Sequence, residues 1–357
     1  MLKKAAALFL VCASMAMWVS CGSTSSHYLY AAIPGSNEIV VYREDPNSGV
    51  LTQLTGSPVT AGQAVQALAI HPSGKYLYTA NSGEGDVSLY TISTAGALTE
   101  VTPRTVVGVG PTLLAMDSAG KYLYVGNSGS YNISVFSIDA STGVLSPVPG
   151  TPFSVGVSPI NMALSPSGSV LYITGGGSIG FSGVIQAFSL SQGASTLIAG
   201  SPFATGNSPY GLAIAPSGKV LYTGNNTDNS ISEFTINADG SLTQLAGSPL
   251  GTQYAGPVAL QIDKSGAYMY VANQASSNVT GYSIGSDGAL TGLTTSPFGT
   301  AANPWVLGTD PGGKYLFVGN QKNSVIQSFS LDTSSGTLTS VTSYSVPGPP
   351  TSIVVTP

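Results

Sequence analysis

Charge is scarce in this chain. Of its 357 residues only 7% are Asp, Glu, Lys or Arg, and it contains two arginines, two histidines and two cysteines. Ten basic residues stand against fifteen acidic ones, for a net charge of −5, so no basic surface exists to hold a phosphate backbone and nucleic acid is excluded as a partner. Two cysteines exclude a disulfide framework, and with only two histidines beside them no Cys/His zinc set can form; neither a metal nor a cofactor is expected. The chain is also too apolar for disorder, at 42% hydrophobic residues, and none of it shows the 3.6-residue period of an amphipathic helix. What it has in plenty is 45 glycines and 23 prolines, about a fifth of all residues, which punctuate short segments throughout.

The first 20 residues read as a signal peptide. Lys3 and Lys4 precede an apolar run from Ala5 to Val19 that is too short to span a bilayer comfortably. Val19-Ser20-Cys21 resembles the lipobox of bacterial lipoproteins, which implies that Cys21 is acylated and becomes the first residue of the mature chain; an ordinary secretory signal with a chance cysteine is the alternative. Residues 21–25 form a short anchor linker. The expected address is the bacterial cell envelope, with membrane contact through the lipid alone. Removing the signal leaves eight basic residues against fifteen acidic ones, a balance of −7.

Self-similarity dominates the rest. The strings His27-Tyr-Leu-Tyr30, Lys75-Tyr-Leu-Tyr78, Lys121-Tyr-Leu-Tyr124, Ser169-Val-Leu-Tyr172, Lys219-Val-Leu-Tyr222, Ala267-Tyr-Met-Tyr270 and Lys314-Tyr-Leu-Phe317 are seven copies of one motif, with a mean period of about 48 residues. Turn residues divide each period into four strands. A small apolar strand such as Leu212-Ala-Ile214 follows Pro111, Pro159, Pro209, Pro257, Pro304 or Pro350, with Val65 in the remaining copy. A tight turn leads to the aromatic strand, an Asn-rich loop to a third strand such as Val87-Ser-Leu-Tyr-Thr-Ile92, and a Gly-containing turn to a short fourth strand. The first copy lacks an inner strand, and the chain ends with one, Pro350 to Pro357, that nothing follows. The two fragments complete one blade. The expected fold is all-β: a single seven-bladed β-propeller over residues 26–357, its first blade closed by the C-terminal strand.

The recurring Pro-x-x-Leu-Ala-Ile-x-Pro-Ser-Gly-Lys-x-Leu-Tyr-x-x-Asn run resembles the lactonase-type seven-bladed propellers, which include bacterial 6-phosphogluconolactonase and the YVTN-repeat surface proteins. The resemblance covers nearly all of the mature chain and implies hydrolysis of a sugar lactone by charged residues at the propeller mouth.

Residue by residue, catalytic types are thinly spread. His71 lies in the turn after an inner strand, where other repeats carry Asp, Ser, Ala or Thr, and reads as an exposed turn residue; lysines 75, 121, 219 and 314 recur at one place, the start of the second strand, and read as blade-edge residues that serve solubility and turns. Asp139, Asp332 and the pair Glu44-Asp45 flank turns after third strands, where a carboxylate caps a hairpin turn. Arg104 falls in a loop between blades. Gly175 to Gly180 spells a dinucleotide loop without a following helix, and reads as a long blade loop. No G-x-S-x-G elbow is present.

One further feature is positional. Three residues after the aromatic of the second strand stand Asn81, Asn127, Asn225, Asn273 and Asn320, with Ile33 and Gly175 breaking the set. Each Asn capping its own turn is the economical reading. The functional reading is an amide-rich cup, completed by Gln66, Asn161, Tyr210 and Trp305 from the starts of inner strands, that takes a neutral small molecule such as a sugar or lactone. Glu84 and Asp86 occupy a loop on the same face and are the candidate carboxylate bases. The first reading is therefore an exported envelope module that binds or scaffolds, taking a small molecule or an envelope protein; a lactonase is the alternative, and an envelope or matrix component whose uncharged, Gly- and Ser-rich surface mediates assembly is the third.

Overall fold

The computed structural model describes residues 26–176, 183–192 and 194–357; the expected signal at 1–20, Cys21 with its linker to 25, and residues 177–180 of the glycine run lie outside the described residues. Every element among them is a β-strand. The strands form seven antiparallel sheets, each four strands deep from axis to rim, and five of the sheets gain a two-residue strand against their third strand.

Blades are numbered here from the one that His27 opens. In the second blade the order from the axis outward is Val65–Ile70, Tyr76–Asn81, Asp86–Ile92 and Leu98–Val106. The first blade takes its innermost strand from the end of the chain. Ser352–Val355 lies antiparallel to His27–Ile33, with Leu29 opposite Val355 and Ala32 opposite Ser352, as the two incomplete copies require. Each inner strand packs beside the inner strands of both neighbouring blades, and the seventh blade returns to the first, so a channel runs along the axis.

Second strands are buried on both faces, which is why their sequences are nearly continuous apolar runs. Each face meets a different neighbouring blade. The core accordingly consists of seven clusters, each set between two blades, such as Tyr30, Ala32 and Ile39 of the first against Leu68, Leu77 and Tyr90 of the second.

Tyrosine serves as the bolt between blades. Its ring supplies much of the buried apolar area, and its hydroxyl reaches the carbonyl of the glycine in the next blade's turn between third and fourth strands. Tyr30 donates to Gly96, Tyr78 to Gly143, Tyr172 to Gly240, Tyr222 to Gly288 and Tyr270 to Gly336, at 2.7–2.9 Å. Burial pushes these phenols well above their ordinary range, so they remain donors. The glycine is required twice over. At Gly143 the backbone is left-handed, with φ of 75°, and a Cβ would stand 2.7 Å from the Tyr76 ring.

Two corrections to the sequence reading concern turns. His71 is buried rather than exposed: Nε2 donates to the Gly120 carbonyl of the third blade at 3.0 Å, and Nδ1 lies 2.8 Å from the Ser73 hydroxyl. Arg104 belongs to the fourth strand Leu98–Val106 and not to a loop. Asp139 and Asp332 do cap their turns, accepting from Ser141 and Thr142 and from Ser334 and Ser335, and those bonds hold both carboxyls down at about 2.

Replacing Tyr222 by Phe keeps the ring and leaves the Gly288 carbonyl without its donor. The variant is expected to lose about 1 kcal/mol of unfolding free energy in chemical denaturation, with the fold retained.

Candidate functional site

The mouth of the channel is shaped by a repeated irregularity. In blades two to seven the pairing of first and second strands skips one residue just after the proline or Val65: Val65 faces Asn81 and Ala67 faces Ala80, so Gln66 is extra. The same β-bulge frees Thr112, Ile160, Tyr210, Val258 and Trp305. A bulged residue leaves the ladder and is re-aimed. All six line one cavity of about 400 Å³ at the axis, joined by Asn161, Thr351 and Ser352 and floored by Leu68, Leu114, Leu212, Leu260 and Leu307.

Aromatic and amide groups divide this cavity. Tyr210 and Trp305 come from blades five and seven, yet their rings meet edge to face at 5.9 Å across Val258 of the blade between them. The Asn161 amide donates to the Tyr210 carbonyl at 2.8 Å and its oxygen accepts from the Met162 N–H, so it fixes one wall. Thr351 donates to the Gln66 carbonyl between the inner strands of the first and second blades. The Gln66 amide, the Thr112 and Tyr210 hydroxyls and the Trp305 indole N–H make no hydrogen bond to another described residue, and are free to meet a ligand. No Asp, Glu, His, Lys or Arg belongs to the lining.

The five asparagines are not part of this cup. All are fully buried within their own blades. Each Nδ2 crosses to the third strand, where it donates to the residues five and seven places on: Asn81 to Asp86 and Ser88, Asn127 to Asn132 and Ser134, Asn225 to Ser230 and Ser232, Asn273 to Asn278 and Thr280. Asn320 holds Gln327 and the Val325 carbonyl in the same way. They act as latches across the hairpin. The amide must be buried because a loop lies over it; a Cβ on Gly62, Gly108 or Gly206 would strike Asn81, Asn127 or Asn225.

Glu84 and Asp86 are likewise held in place. In five blades the third residue of the loop between second and third strands accepts the backbone N–H of the residue 21 places earlier, in the crossover from the preceding blade. Glu84 takes Gln63, Ser130 takes Val109, Asp228 takes Asn207, Ser276 takes Ala255 and Asn323 takes Ala302. Glu84 thus fills a post that serine and asparagine fill elsewhere. Its carboxylate also pairs with Arg104, whose Nε binds Glu100 at 2.7 Å and whose Nη1 lies 4.0 Å from Asp86. Asp86 accepts the Asn81 latch. Neither carboxylate lines the mouth cavity.

Residues 27–158, 151–302 and 282–355 match the family described as Lactonase, 7-bladed beta-propeller, which together is nearly the whole described chain. The chain belongs to that family. No curated protein matches it. Among solved structures this lactonase-family propeller is similar to a putative 6-phosphogluconolactonase from Bacteroides fragilis, with 21% identity, a TM-score of 0.78, and 94% of this chain and 99% of the other covered. It is similar also to a periplasmic gluconolactonase from Pseudomonas aeruginosa, with 21% identity, a TM-score of 0.77, and 93% and 99% covered. At these identities the likeness shows the fold.

Chemically, the lactonase-family mouth offers neutral donors above an apolar floor. Such a surface recognises hydroxyls and carbonyls and can stack one ring face, but it has no cation with which to bind a phosphate. No group of three or more His, Cys, Asp or Glu among the described residues could hold a metal ion. Of the residues singled out in the sequence, the structure gathers Gln66, Asn161, Tyr210 and Trp305 in one cavity and leaves the asparagines and Glu84 and Asp86 outside it. Thr112 was missed, though it follows Pro111 just as Tyr210 follows Pro209.

Truncating a latch tests this division. Asn273→Ala leaves the acceptors on Asn278 and Thr280 without their donor, and a loss of about 1–3 kcal/mol in thermal or urea unfolding is expected.

Proposed function

We propose that this propeller is exported to the cell envelope, anchored through Cys21, and that it binds a neutral sugar lactone in the mouth cavity and hydrolyses it. The observation that carries the reading is the uncharged cup itself, built by six bulges on a lactonase-family ring. Its volume suits a single sugar ring. The Tyr210–Trp305 pair offers a face for the apolar side of a pyranose, and the free Gln66, Thr112 and Tyr210 groups reach for its hydroxyls. The similar Pseudomonas protein is a gluconolactonase of the periplasm, which agrees with an unphosphorylated substrate met outside the cytoplasm.

In hydrolysis of a lactone, water adds to the carbonyl carbon and negative charge develops on the carbonyl oxygen; the ring C–O bond then breaks, and the proton given up by the added water reaches the departing ring oxygen through solvent, leaving the hydroxy acid. Donors fixed in a dry pocket stabilise that charge without reorganising. Here they are the Gln66 amide, the Thr112 hydroxyl and the indole N–H of Trp305. No carboxylate or imidazole lines the cup, so the acceleration comes from polarising the carbonyl and orienting the ring, and it is modest. The same observation favours a second reading, binding without turnover, for a sugar or for an envelope protein's glycan.

Hydrolysis of plain and 6-phosphorylated sugar lactones, followed against the spontaneous rate, separates these readings. The expected result is turnover of the plain lactone, reduced about 10–100-fold in kcat/KM by Trp305→Ala and changed less than about threefold by the double variant Glu84→Gln, Asp86→Asn. Binding of the lactone with no rate above background would establish the second reading. Preference for the phosphorylated lactone would overturn both.

Export and anchoring are tested separately. In cells fed labelled palmitate, label is expected on the full chain and absent from Cys21→Ala, which should leave the membrane fraction.

A further inference from the structure

One seam of the ring departs from the repeat in two independent ways. Between the seventh and first blades the tyrosine bolt is missing, because Phe317 stands where other blades carry tyrosine, and a phenyl ring has no hydroxyl to offer the glycine turn. At the same seam the last residue of the first blade's third strand is Glu44. The other six blades place Ile92, Ile138, Leu190, Ile236, Ile284 and Leu331 there, and those side chains pack into the clusters between blades. The pair Glu44-Asp45 read from the sequence as turn caps, and only Asp45 is one, accepting from Asn47. Glu44 is 1% exposed, and neither carboxyl oxygen has a hydrogen-bond partner.

The surroundings of Glu44 make an ionised carboxylate costly. Asp45 follows it in the chain, Asp310 and Tyr315 face it from the seventh blade, and His27 is its register partner on the neighbouring strand. Asp310 is itself buried and is already committed to the backbone N–H groups of Gly312, Lys314 and Tyr315, so it adds negative charge and no donor. Arg43 points to the opposite face and is exposed. The seam is otherwise tied at its rim, where Leu51 donates to the Tyr344 hydroxyl at 2.6 Å and the rings of Tyr42 and Tyr344 lie 5.7 Å apart. At this seam the chain itself crosses only to the inner strand, through residues 346–351, while the first blade's other strands, which come from the start of the chain, meet the last blade by packing alone.

We propose that the Glu44 carboxyl is a proton-binding group that makes closure of the ring pH-dependent: with its proton it packs as the aliphatic residues of the other seams do, and without it the seam between the last and first blades loosens to admit water. Desolvation, then Asp310, then Asp45 raise its pKa to about 8. The group is therefore neutral in the folded protein and ionised in the unfolded chain through the interval from about 4.5 to 8. Stability from this source is complete below that interval and falls across it as pH rises, by up to about tenfold in the folding constant per pH unit.

The test compares the full chain with Glu44→Gln, which keeps shape and polarity without a proton to lose, and with Glu44→Ile, which restores the repeat. Equilibrium unfolding from pH 5 to 9 is expected to show the wild-type folding constant falling relative to both variants, while the two variants share one profile. Infrared absorption should show a protonated carboxyl at pH 7 in the wild type that Glu44→Gln lacks. Hydrogen exchange, corrected for its intrinsic pH dependence, should rise at pH 9 over residues 38–51 and 310–317 in the wild type alone. Parallel pH profiles in all three proteins, or the absence of the protonated band at pH 7, would overturn the proposal. Should Glu44→Gln fail to fold, Glu44→Ile carries the comparison.

Discussion

Four residue pairs, from Leu29 opposite Val355 to Ala32 opposite Ser352, join the end of the chain to its beginning, and the channel depends on them. Seven twisted sheets in a row would leave two exposed faces and the open edges of unfinished blades. Pairing the last strand with the first buries both faces and fixes the diameter of the axis. Every inner strand then has two inner strands beside it. The bulges after the prolines acquire their meaning only in that circle, since side chains freed at the starts of six strands converge only if those starts ring a common centre.

Closure also decides what polar residues on the mouth face can do. Loops from neighbouring blades lie over one another, so amides and carboxylates in them are drawn into holding backbone N–H groups and hydroxyls that would otherwise be buried unpaired. Asn81, Asn225 and Asn273 hold hairpins together, and Glu84 and Asp228 tie crossovers to loops. What remains free for a ligand is what the repeat has not used: the bulged residues, which vary from blade to blade as Gln, Thr, Ile, Tyr, Val and Trp. Variation at a repeat position marks the site more clearly than recurrence does. A recurring residue answers a demand that every blade makes, whereas a ligand makes its demand once.

This explains which parts of the molecule could be read from the sequence. The number of blades, their four strands and the split first blade follow from the Tyr-Leu-Tyr strings and from the bare strand after Pro350. Period and strand boundaries are local signals, and the ring is their only closed arrangement. Gln66, Tyr210 and Trp305 were legible as mouth residues because each follows the residue that starts an inner strand. The bulge that frees them was not, because a bulge has no fixed spelling and moves a side chain by one place in register. The asparagines misled for the same reason that made them visible. Their regular spacing reflected a latch to residues five and seven places on, and those acceptors are Ser, Thr, Asp, Asn or Gln, with no shared identity to reveal the pairing. His71 and Glu44 were read as turn residues from their neighbours in sequence, while their burial comes from the adjacent blades.

The distribution of charge follows from the same economy. With so few ionisable side chains, each turn acid that accepts several N–H groups, as Asp310 and Asp139 do, is stabilised where it stands and is lost to catalysis. The arginine that could bind an anion is surrounded by Glu84, Glu100 and Asp86. The mouth is therefore left with dipoles alone. In a cup whose floor is leucine, oriented amide, hydroxyl and indole groups act at low effective dielectric and are stronger than in water. An uncharged substrate loses little solvation on entering, whereas a phosphorylated one would surrender the hydration of two negative charges to a surface with no cation. Scarcity of charge, the first property of this sequence, is thus what leads to the uncharged ligand proposed for it.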